Sequence, residues 1–143
     1  MRVFRAFDAV TRPPHRSVVT VGVFDGMHLA HQQLIRTTVQ SARRIGGTSV
    51  VVTFHPDPQT VLDPAHAHPC LMPLDARLAH FQAMGVDCVW IIPFTRRVAH
   101  ITADQFIRGV LVRRLSTVIL IVGETFAFGH GRRGDLRLLR ASS

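Results

Sequence analysis

The sequence predicts a doubly wound, parallel α/β sheet, and three observations carry that expectation. Four short runs are β-branched and apolar along nearly their whole length, as strands covered on both faces require. Segments with helical spacing separate those runs, which calls for parallel pairing through right-handed crossovers. Glycine-bearing junctions follow the first and last runs, and sheets of this class bind ligands outside the carboxyl ends of their strands.

The first strand spans residues 17–24 and stops at Asp25-Gly26. Over 29–45, Leu29, Leu34, Ile35, Val39 and Ala42 recur near helical spacing, and Gly46-Gly47 ends the helix. Residues 49–54 form the second strand. Residues 55–74 contain five prolines and no regular period, which predicts a long surface loop. A helix follows over 75–84 with Asp75 as N-cap. Residues 88–93 make the third strand, and a helix covers 102–114, opening at Thr102 or Ala103. Residues 117–122 form the strongest strand, and a short helix fits 135–140. At 143 residues the chain is one domain with a core of its own.

A formal charge of +8, carried by arginine with no lysine, favours anionic partners. Nucleic acid and nucleotide phosphate both qualify. The arginines come as scattered pairs, at 43–44, 96–97, 113–114 and 132–133, and a basic balance is only the first of several signs that nucleic-acid binding needs. A nucleic-acid module is therefore the weaker third reading. No apolar run reaches the ~20 residues that span a bilayer. Charges within Met1–Asp8 do not suit a secretory signal, and Cys70 and Cys88 are too few for a disulfide framework, so a reducing cytoplasm is expected. The spacing His66-x-His68-x-Cys70 offers three ligands at best, and no metal site is assigned to it. Oligomeric state has no signature in the sequence.

The most informative segment is Gly22-Val-Phe-Asp-Gly-Met-His-Leu-Ala-His31, which leaves the first strand and enters the first helix. Glycines allow tight turns and close backbone approach to a ligand. Helix-terminal amides offer donors and positive potential to phosphate. His28 and His31 are three apart and can face one side of the opening turn. Two imidazoles aimed at phosphate suit phosphoryl-type transfer, in which positioning and charge stabilisation do most of the catalysis. Two surface histidines at a helix start are the plain alternative.

This segment resembles the G-x-F-D-G-x-H-x-G-H version of the HxGH motif, typical of bacterial FAD synthetases, the bifunctional riboflavin kinase/FMN adenylyltransferases. The resemblance implies a Rossmann-like nucleotidyltransferase domain. It places Gly22, Phe24, Asp25, Gly26, His28, Ala30 and His31 at ATP, with His28 and His31 catalytic through their hold on the triphosphate. Ala30 stands where the family has glycine, so a methyl group enters a place of close approach.

Two further segments are similar to the family. Thr53-Phe-His-Pro-Asp-Pro58 is similar to T-F-x-P-H-P, which implies Phe54, Pro56 and Pro58 on the flavin side, with Asp57 replacing a histidine. Val122–Asp135 is similar to V-G-x-D/N-F-x-F-G-x-x-x-x-G-D, which implies Thr125, Phe126, Phe128 and Gly129 at FMN. Phe126 and Phe128 read equally as core residues of a tight hairpin.

The family continues into another strand, an I-S-S-T-x-I-R phosphate-gripping segment and a riboflavin kinase barrel. Ala141-Ser-Ser143 does not resemble that segment, so residues 1–143 are expected to be a partial adenylyltransferase domain without the kinase. The implied reaction joins ATP and FMN to give FAD and pyrophosphate, with Mg2+ accompanying ATP and no protein metal site. A non-catalytic nucleotide- or flavin-binding remnant, and an HxGH-type transferase with another phosphorylated acceptor, are the alternatives.

Overall fold

The structure is a computed structural model that describes residues 1–142. Five strands, β1 (Arg2–Phe4), β2 (Ser17–Val21), β3 (Thr48–His55), β4 (Cys88–Pro93) and β5 (Thr117–Ile121), form one sheet in the order β1-β4-β3-β2-β5. Every pairing is parallel. The chain moves from β2 through β3 to β4 on one side, then returns to place β5 on the other side of β2. β2 is thus the strand at which the winding reverses, and its carboxyl end is where such a sheet opens a crevice.

Alternate strand residues feed two cores, as a period of two requires. Val51, Val89 and Ile91 pack with Ile35 and Val39 of α1 (Leu29–Ile45) and with Leu78 and Phe81 of α3 (Leu74–Ala83). Val19, Val21, Val50, Val52, Trp90 and Ile92 pack with Phe106, Ile107, Val110 and Leu111 on the opposite face. Helices therefore cover both faces.

The helical termini follow local chemistry. Gly46 adopts φ 66° and closes α1 with its N–H on Ala42 and Arg43 carbonyls. Thr102 caps α5 (Ala103–Gln105) in a capping box with Gln105. The expected single helix over 102–114 is that short α-helical turn continued by a π-helical run, Phe106–Arg114. Asp135 caps α6 (Leu136–Ala141) through Leu138 N–H at 3.0 Å.

Several expectations are corrected. Residues 55–74 are not one loop: they hold α2 (Pro58–Leu62) and a 3-10 turn at Pro64–His66. Asp57 accepts from Gln59 N–H at 2.8 Å and Pro58 occupies the first turn, a start signal outweighed in sequence by the proline content. Asp75 is not the cap of α3; Pro73 occupies that position and Asp75 lies in the first turn. The first strand ends at Val21 rather than Phe24, because the chain turns left-handed at Phe24. β1 and α4 (Arg96–Ala99) were not expected at all.

Candidate active site at the ends of the parallel strands

The β2–α1 turn is built from residues in conformations that L side chains rarely adopt. Phe24, Gly26 and Met27 have φ of 57°, 79° and 47°. Gly26 meets this demand without a Cβ, and a Cβ there would press on His28 and Leu71 at 3.2 Å. Phe24 and Met27 are held in place by burial, at 2% and 4% exposure. The Phe24 ring meets Phe81 and His31 edge-on at 5.8 and 5.4 Å, so Phe24 supports the site from below.

Asp25 is directed sideways into the chain. Its carboxylate accepts from the N–H groups of Leu71 (2.9 Å) and Met72 (2.8 Å), tying the segment before α3 to the turn. Burial pushes its pKa up, but those two amides, the Arg77 charge and the Cys70 thiol outweigh burial and hold the group below its usual 3.8.

His28 is the N-cap residue of α1, exposed, and His31 is half-buried one turn on. Their rings lie 5.2 Å apart. The His28 backbone N–H donates to His31 Nδ1 at 3.3 Å, which leaves Nε2 to carry the proton of a neutral His31 ring. Burial lowers the His31 pKa below 6.5, the neighbouring His28 charge lowers it further, and Asp25 opposes both only in part. The turn thus combines an Nε2–H left without a bond to the chain's own backbone, among the described residues, with the helix-terminal amides of α1, groups suited to phosphate oxygens. Ala30 is exposed on the same opening turn.

On the face opposite α1, the carboxyl ends of β2, β3 and β4 border a cavity of about 920 Å³. Val21, Ile92, Phe106 and Val110 line it, with Phe54 and Phe94 as one aromatic wall and Phe126 and Phe128 as another. Phe126 and Phe128 stack at 5.4 Å and 17°, and Phe128 also meets Phe106 at 5.3 Å. This volume and apolar lining suit a planar, drug-sized ligand.

The loop carrying those phenylalanines is fixed at several points. Phe128 and Gly134 exchange backbone bonds at 3.0 and 2.9 Å, and His130 N–H reaches the Ile101 carbonyl at 2.7 Å. Gly129, with φ 77°, lies so close to Ala103 that an added Cβ would sit 2.6 Å from its nitrogen. Phe128 is consequently both core and cavity wall, at 7% exposure, whereas Phe126 is half-buried.

The structure sorts the sequence-predicted residues into neighbouring groups. Gly22 and Val23 border the large cavity, which places the first turn beside it. Phe54, Pro58, Thr125, Phe126, Phe128 and Gly129 all line that cavity. Pro56 instead faces a smaller cavity of about 140 Å³, with Asp25, His55, Asp57, His68 and Arg77. Phe24 lies beneath the turn and lines neither cavity. His100 and His130, without partners in sequence terms, stack at 4.9 Å on the large cavity's rim near Arg96 and Arg132. Arg77 was not anticipated either: helical spacing places it on α3 but gives no hint that it is 3% exposed beneath the turn. Among the described residues no group of three or more His, Cys, Asp or Glu could hold a metal, and no helix is long and apolar enough to cross a membrane.

The family model described as FAD synthetase matches residues 10–143. The bifunctional riboflavin kinase/FMN adenylyltransferase of Escherichia coli K12 is 34% identical over 141 residues, covering 98% of this chain and 45% of that protein. The protein of the same description from Haemophilus influenzae is 32% identical over 143 residues, covering 100% of this chain and 46% of its own length. The chain therefore spans about half the length of these curated relatives. The crystal structure of a macrolide-efflux protein from Streptococcus pneumoniae superposes with a TM-score of 0.85 at 25% identity, over 100% of this chain and 56% of that one.

Proposed function

Because the chain belongs to the FAD synthetase family, we propose that it is an FMN adenylyltransferase that makes FAD and pyrophosphate from ATP and FMN. The observation that carries the reading is a juxtaposition. A turn with two imidazoles and helix-terminal amides adjoins, through Gly22 and Val23, a cavity of about 920 Å³ with phenylalanines on two walls. One side suits a triphosphate and the other a flat, largely apolar ring.

In this reaction an oxygen of the FMN phosphate attacks the α-phosphorus of ATP. The new P–O bond forms as the bond to the β-phosphate oxygen breaks, and pyrophosphate departs with that electron pair. Negative charge grows on the departing group. His31 donates to it from Nε2, His28 supplies a second imidazole from the same turn, and the α1 amides orient it. Phe126 and Phe128 hold the isoalloxazine ring so that the FMN phosphate points toward the turn. Mg2+ arrives with the substrate as Mg-ATP, bound chiefly by phosphate oxygens. The proposed place of action is the cytoplasm.

A panel of phosphorylated acceptors tests the assignment. With Mg-ATP, pyrophosphate release should depend on FMN and exceed that with nicotinamide mononucleotide or phosphopantetheine by at least about a hundredfold, the scale set by losing contacts of the ring with its pocket. Equal release with another acceptor would point to a different HxGH-type transferase. Binding of FMN and ATP without release would identify a non-catalytic binder.

A further inference from the structure

We propose that Arg77 is a positioning residue for the nucleotide-binding turn, acting through the Val23 carbonyl; this rests on the adenylyltransferase reading above. Arg77 lies on α3, 3% exposed, and its Nη1 donates to the Val23 carbonyl at 2.7 Å. Thr53 Oγ1 donates to the same carbonyl at 3.1 Å. Val23 is the last residue before the left-handed turn, so these two donors fix where the turn begins.

The segment that leads into α3 fixes its middle, since Leu71 and Met72 amides bind Asp25. A third bond closes the far end, where Gln32 Nε2 reaches the Met27 carbonyl at 3.1 Å. The turn at 24–27, with Phe24, Gly26 and Met27 all at positive φ, is thereby held at its start, middle and end. Such backbone persists only when its surroundings over-determine it.

General packing does not account for an arginine at this place. The Arg77 guanidinium makes no ion pair with a carboxylate within 4.0 Å among the described residues, and its Nε is buried without a partner. A buried cation in that state is costly, and an apolar side chain of similar volume ordinarily does better. What an apolar residue cannot supply is the bond to Val23 and a fixed positive charge beneath the turn. Arg77 lines the smaller cavity, which shares Val23 and Asp57 with the larger one.

Three measurements on the full chain separate this role from plain stability. They are amide hydrogen exchange at residues 24–28 without ligand, FMN binding, and the Mg-ATP dependence of turnover. In Arg77→Met, exchange at 24–28 should rise at least about tenfold relative to β3, as local opening predicts. FMN affinity should stay within about twofold while kcat/KM for ATP falls on the order of a hundredfold, the scale of one lost electrostatic contact. Arg77→Lys, which keeps the charge and one donor direction, should recover part of that loss. Thr53→Val should show the same pattern more weakly, and should add little to Arg77→Met because both act through Val23.

Unchanged exchange and unchanged ATP parameters in Arg77→Met overturn the proposal. A proportional loss of FMN binding, ATP turnover and melting temperature also overturns it, by assigning Arg77 to packing. If Arg77→Met does not fold, Arg77→Lys and Thr53→Val decide, and wild-type exchange at 24–28 in both overturns the proposal. If the wild-type chain makes no FAD, the functional reading fails separately, and ligand-free exchange still decides the clamp.

Discussion

At the scale of single residues, the first turn of α1 makes sharp demands. Alanine at His28 or His31 should lower kcat by on the order of a hundredfold or more while leaving FMN affinity within about twofold, because the loss falls on the charged transition state. Steady-state kinetics beside FMN titration checks this, and equal losses in both would assign the histidines to flavin binding or folding. His31 adds a pH signature. Its pKa is depressed in the free protein, mainly by burial. A bound triphosphate brings negative charge and raises it, so ATP binding should take up a proton at pH values between the free and bound pKa. Affinity should then weaken as pH rises through the bound value. Calorimetry in buffers of different ionisation enthalpy reads that uptake directly, and none at any pH across the imidazole range would mean that His31 does not face the phosphates. For stability the sign is fixed by the same shift: the unfolded chain binds the proton more readily, so His31 costs stability as pH falls below about 6.5. Ala30→Gly should cost roughly 0.5–1 kcal/mol of helix stability yet improve ATP affinity or rate. A less stable variant with no functional gain would show that position 30 does not meet the nucleotide. The placing of His28 and His31 on one opening turn was legible in sequence because one contiguous string carries both. Arg77 was not, because its meaning depends on Val23, 54 positions away along the chain.

At the scale of elements, the proposed function requires the aromatic loop after β5 to divide its labour between stability and binding. Phe128 is core, stacked on Phe126 and wedged against Phe106 and Gly134. Phe128→Ala should therefore lower stability by about 3–5 kcal/mol, the usual cost of emptying a buried phenylalanine site. Phe126 is half-buried on the cavity wall, and Phe126→Ala should cost far less stability while weakening FMN binding at least about tenfold, a stacking contact's worth. Thermal melts and FMN titration of the pair test the division, which fails if both variants behave alike. The sequence offered hairpin core and flavin contact as rival readings of these residues, and the structure makes Phe128 core and wall together. Long elements were readable because burial on both faces leaves continuous apolar runs, as in Cys88–Pro93. Short ones were not. β1 has three residues and joins the sheet only through β4, a long-range pairing with no local signature. α2 had a local signature in Asp57-Pro58, masked by the prolines around it.

At the scale of the whole molecule, β5 is an edge strand, and its sequence Thr-Val-Ile-Leu-Ile is more apolar than its surroundings satisfy. None of its residues is fully buried, and Val118 is 54% exposed. Open apolar edges invite pairing with further chain. The curated relatives are about twice as long, at 45% coverage of the Escherichia coli protein. Extending this chain with the C-terminal portion of such a relative should raise melting temperature and ATP affinity while leaving FMN affinity unchanged. A longer chain with the same melting temperature and ATP affinity would contradict that expectation. The fold class and the two glycine-bearing junctions were visible in the sequence because parallel strands and their glycine-bearing ends are local patterns. The proposed joining of the two junctions into one site was not, since it depends on β2 lying between β3 and β5. That joining is the central claim: the phosphate turn and the aromatic cavity serve one reaction. The most direct measurement is a titration of this chain with FMN followed by Mg-ATP, with chromatographic analysis of the flavin. The account predicts saturable FMN binding and then conversion of FMN to FAD with one pyrophosphate released per FAD. FMN that binds and is recovered unchanged after prolonged incubation with Mg-ATP would contradict it.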